Sequence, residues 1–86
     1  MPEISRFFGI VIRMYFRDHA PPHFHARYGE HNAAIQISPP GLIDGDIPPR
    51  ALSMIIEWTA LHQAELLENW RLAQSDATPR RIEPLR

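Results

Sequence analysis

The chain has 86 residues, no cysteine, no lysine and a formal net charge of -1 at pH 7. That length allows one small domain, the missing thiols exclude disulfide staples, thiolate metal sites and cysteine nucleophiles, and the charge balance argues against a general duplex-DNA-binding protein. Glu3 precedes the first apolar run, Arg13 interrupts it and no apolar run is long enough for a bilayer, so the sequence predicts neither a signal peptide nor a membrane segment, and a reducing cytoplasm is the expected compartment.

From Phe7 to Phe16 the residues alternate, with Phe8, Ile10, Ile12, Met14 and Phe16 on one side and Phe7, Gly9, Val11, Arg13 and Tyr15 on the other, a period that predicts one strand. Arg17 to Pro22 carries two prolines and predicts a connecting loop. His23 to Tyr28 alternates again and places His23, His25 and Arg27 on one face. Gly29 to Asn32 reads as a hairpin turn, Ala33 to Ile37 as a third strand, and Leu42 to Asp46, after the Ser38-Pro39-Pro40-Gly41 break, as a short edge strand. Pro48-Pro49 suits a first helical turn, with Asp46 as the capping candidate.

Leu52, Ile55, Ile56, Thr59, Gln63, Leu66, Trp70 and Ala73 then recur at intervals of three and four, the signature of a helix that lays an apolar stripe on the sheet. The last residues hold few apolar side chains; Ile82 and Leu85 could dock, but fraying is the default for such a terminus. The expected architecture is one α+β domain over 1–86: an antiparallel three- to four-stranded sheet over about 7–46, one long amphipathic helix over about 48–74 and an extended tail over 75–86.

The segments ISRFFGIVIRMYF and DHAPPHFHARYGE, the helix carrying EW, LH and ELLENW, and the closing IEPL resemble the bacterial domain of unknown function 4160 (DUF4160). The resemblance implies a short bacterial protein acting as one half of a two-gene pair of toxin–antitoxin type. It supplies no catalytic residues.

Three functional readings follow from the residues. In the first, the protein is an interaction module that associates with itself or with a protein partner. Trp58 and Trp70 are the interface candidates, because twelve residues place them about 120° apart around a helix, too far for one narrow stripe. In the second, the outer sheet face cleaves RNA without metal: His23 and His25 serve as acid and base, Arg27 and Arg13 steady the phosphorane charge, and Tyr15 and His19 lie nearby. In the third, His23 and His25 hold a transition metal with His19 or Asp18 from the preceding loop, joined by His31 or His62. Glu30 completes half of the cupin metal motif, but 86 residues cannot close a double-sheet jelly roll. No cofactor other than such a metal is expected.

Overall fold

The computed structural model describes residues 2–86. Five strands, β1 (Glu3–Phe7), β2 (Ile10–Arg13), β3 (His23–Tyr28), β4 (His31–Gln36) and β5 (Gly41–Gly45), pair in chain order as an antiparallel meander, and two helices, α1 (Pro49–Leu61) and α2 (Gln63–Gln74), follow. The α+β class stands, while the strand count, the start of the sheet and the single helix are each corrected. Among the described residues no helix is long and apolar enough to cross a membrane.

The extra strand arises because the chain turns at Phe8–Gly9, near the start of the Phe7–Phe16 run, so that residues 3–7 pair with residues 10–13. Phe8 and Gly9 have φ of 48° and 80°, the two positive values that a type I′ hairpin turn demands. The turn pairs Phe7 with Ile10, so both are buried although a continuous strand would send them to opposite faces. Phe8 is 60% exposed and carries a bulky side chain at positive φ, a conformation that costs an L-residue roughly 1–2 kcal/mol. Phe8→Asn is therefore expected to raise stability by about 1 kcal/mol in urea unfolding; a loss would show that the phenyl ring makes a contribution larger than its backbone strain.

The long helix divides at His62, whose φ of -125° and ψ of 28° leave the helical region. The chain resumes at once, with the Leu66 amide donating to the His62 carbonyl. Buried positions continue across the break, from Ala51, Ile55, Trp58 and Thr59 to Leu66, Asn69 and Ala73, which is why the pattern reads as one helix. Asp46 does not cap α1: Pro48 occupies that place without a side-chain bond, and Asp46 lies 3.6 Å from His31.

The inner sheet face buries Ile10, Ile12, Met14, Phe24, Ile35 and Ile37 against the helices. Trp58 sits in this core between Phe7 and Phe24, at centroid distances of 5.3 and 5.7 Å. Gly45 is obligatory at the β4–β5 crossing: its φ is 87°, and a Cβ would lie 2.2 Å from the Asn32 carbonyl oxygen.

The tail is docked rather than frayed. The Ile82 amide donates to the Ile4 carbonyl at 2.8 Å, Asn69 both donates to the Arg80 carbonyl and accepts from its amide, and the Trp58 indole donates to the Glu83 carbonyl. Hydrogen bonds from Arg6 and then Arg81 hold the Glu3 carboxyl at about 2, down from 4.5, so the charge linking tail to β1 persists well into acid. The anchors belong to α1, α2 and β1, so the tail's own composition does not reveal them.

Candidate metal centre

Alternation along β3 puts His23 and His25 on the sheet face away from the core, and the loop from β2 folds Asp18 over them. That loop is held from the far end of the chain: the Arg17 amide donates to the Ala73 carbonyl at 3.2 Å, Gln74 Nε2 donates to the Asp18 carbonyl at 2.9 Å, and the Arg17 guanidinium pairs with Asp76. The C-terminal turn of α2 thus sets the position of Asp18.

One carboxylate oxygen, Asp18 Oδ2, lies 2.9 Å from His23 Nε2 and 3.1 Å from His25 Nε2. Its other oxygen accepts the His19 amide at 2.9 Å. Burial opposes the charge on Asp18, but the His25 hydrogen bond, the His19 amide and the two imidazoles outweigh it, and the carboxyl is held below its ordinary range. His23 is 3% exposed and packs against Trp70 at a centroid distance of 5.3 Å; the Tyr15 ring meets His25 edge-on at 4.2 Å.

The hydrogen bonds fix how His23 presents itself. Its Nδ1 lies 2.7 Å from the Pro21 carbonyl, which only accepts, so Nδ1 carries a proton. In a neutral ring Nε2 then offers a lone pair, aimed at a carboxylate oxygen that also offers lone pairs. Two acceptors at 2.9 Å repel unless a proton or a cation lies between them. A cation satisfies His25 Nε2 as well, and the three ligand atoms fall within 4.8 Å of one another. Metal–ligand bonds of about 2.0–2.1 Å put neighbouring ligand atoms roughly 2.9–3.4 Å apart, the range of both Asp18 contacts. The carbonyl bond at Nδ1 also supplies the outer hydrogen bond that orients a ligating imidazole.

A cavity of about 140 Å³ opens beside these groups, lined by Asp18, His19, Pro21, His23, His25 and Ile43 among others. His19 remains peripheral: its side chain is 87% exposed and its Nε2 is 3.7 Å from Asp18 Oδ1. His31 and His62 pair instead with Asp46 and Glu65 and do not join the cluster. Arg13 and Arg27 share the outer face with His25 and line a second, smaller cavity next to it.

Both tryptophans are used inside the domain. Trp58, expected at an interface, is fully buried, because the bend at His62 and the docked tail give it a core position and a hydrogen-bond partner. Trp70 is partly buried and covers His23. Glu68 pairs with Arg71 on the same helix. Gln74 and Asp76 were not legible as site residues, since their role depends only on where α2 ends.

Residues 9–71 match the family model described as Domain of unknown function (DUF4160). That match covers most of the chain, and the chain belongs to this family. No curated protein and no solved structure matches the sequence significantly.

Proposed function

We propose that this member of the DUF4160 family is a transition-metal-binding protein whose centre is formed by Asp18, His23 and His25. The observation that carries the reading is the shared carboxylate oxygen, placed 2.9 and 3.1 Å from two imidazole nitrogens, one of them on a ring whose other nitrogen is held by the Pro21 carbonyl. Two imidazoles and one carboxylate suit zinc or iron(II) and exclude a soft, thiolate-preferring ion. Three protein ligands leave further coordination positions open, as in catalytic rather than structural sites. They face the 140 Å³ cavity, so an exogenous molecule has a route to the ion.

The test is a cobalt(II) titration of untagged protein followed by visible absorption, with zinc as competitor. One equivalent of cobalt is expected to give ligand-field bands that zinc abolishes, and Asp18→Asn and His25→Ala are each expected to weaken binding by more than about 100-fold, beyond the effect of removing an outer hydrogen bond. Undiminished binding in both variants would place the ion elsewhere and sink the proposal.

A further inference from the structure

We propose that Arg13 and Arg27 form a phosphate-binding cleft beside the metal centre, so that the molecule received there is a phosphate ester; the substrate class rests on the metal reading, the cleft itself does not. Arg6, Arg17, Arg71, Arg81 and Arg86 each pair with a carboxylate. Among the described residues Arg13, Arg27, Arg50 and Arg80 do not; of these, Arg13 and Arg27 line one cavity together, and Arg13 is only partly exposed. Glu3, the register partner of Arg13 on β1, is committed to Arg6 and Arg81.

The two arginines are diagonal neighbours on one face. Arg13 stands opposite His25 and Arg27 opposite Val11, a diagonal placement of about 7–8 Å that long side chains can span to meet over one ligand. Arg27 spends its Nε on the Gly29 carbonyl at 3.0 Å, which orients the guanidinium and leaves its terminal nitrogens free.

The small cavity between them is lined by Arg13, Tyr15, His25, Arg27 and Asn32 and by no carboxylate. Guanidinium, phenol and amide groups all donate, a set that matches an oxyanion. The three unesterified oxygens of a phosphate monoester diverge and would reach two separate guanidinium forks and a metal, whereas a carboxylate offers two oxygens in one plane. His25 lines this cleft and the metal cavity alike, so a phosphoryl group seated on the arginines lies next to the ion. Such a metal–arginine pair stabilises charge on a phosphoryl group.

The experiment measures binding of inorganic phosphate by calorimetry to metal-free and zinc-loaded protein, with acetate as control and a single-stranded oligouridylate as a third arm. Phosphate is expected to bind both forms, more tightly with zinc, and acetate at least tenfold more weakly. Arg13→Gln and Arg27→Gln are each expected to lower phosphate affinity about tenfold or more while leaving zinc affinity and the circular dichroism spectrum unchanged. An oligouridylate that binds at least tenfold more tightly than phosphate assigns the ester to a nucleic-acid strand; equal affinity assigns a small phosphate monoester, and both support the cleft. Arginine-dependent phosphate binding in a protein that takes no zinc removes the metal reading alone and keeps the cleft. Absent phosphate binding, or binding that both variants retain, overturns it.

Discussion

Trp58→Ala is expected to cost about 3–5 kcal/mol of folding stability, the loss typical of a large aromatic removed from a packed core. Trp58 has no exposed surface and touches the β1–β2 hairpin through Phe7 and β3 through Phe24. Its indole also holds the tail at Glu83. A domain of this size has roughly 4–13 kcal/mol in total, so the variant should sit near its unfolding threshold. Trp58→Phe keeps part of the ring packing and leaves the Glu83 carbonyl without its donor, a loss of about 1–3 kcal/mol. Urea unfolding followed by circular dichroism gives both values. A cost below about 1 kcal/mol for the alanine variant would mean that the ring is not committed to the core and is free to serve a partner.

The contrast between Trp58 and His25 shows what the sequence could express. Alternation along His23 to Tyr28 correctly gave β3 and its His-bearing face, because a strand's period is a local property. Leu42 to Asp46 and the hairpin at Gly29 were likewise visible from turn chemistry. The hairpin at Phe8 was not, since an aromatic residue rarely occupies positive φ and the apolar alternation runs through the turn without a gap. The helix break at His62 was hidden for a related reason: the buried positions keep their spacing across it.

The candidate site was half visible. His23 and His25 could be paired from spacing alone, and Asp18 was one of several possible third groups. Choosing it required Gln74 Nε2 on the Asp18 carbonyl and the Arg17 amide on the Ala73 carbonyl, contacts between segments more than fifty residues apart. His31 and His62 were equally eligible by composition and were diverted by the nearby acids Asp46 and Glu65. The docked tail follows the same logic, because Asn69 and Trp58 hold it through backbone groups that any sequence would offer.

Zinc at about 100 times its dissociation constant should stabilise the native state by about 2.7 kcal/mol, which for a domain of this size corresponds to a rise of roughly 11–22 °C in Tm. The effect arises because the unfolded chain separates Asp18 from His25 and has no comparable site, so binding free energy is added to folding. Each variant is compared with itself, with and without metal, so any intrinsic loss cancels. This matters for His23→Ala, which removes a buried ring from Trp70 and the Pro21 carbonyl. His25→Ala, at a partly exposed position, and Asp18→Asn should abolish the shift with less baseline damage. His62→Ala should keep it in full, because His62 is paired with Glu65 outside the cluster. A chelator added after zinc should return wild type to its metal-free Tm. If Asp18→Asn keeps the full shift while His62→Ala loses it, the ion sits at the helix break and the shared carboxylate oxygen is only a charge partner for two histidines.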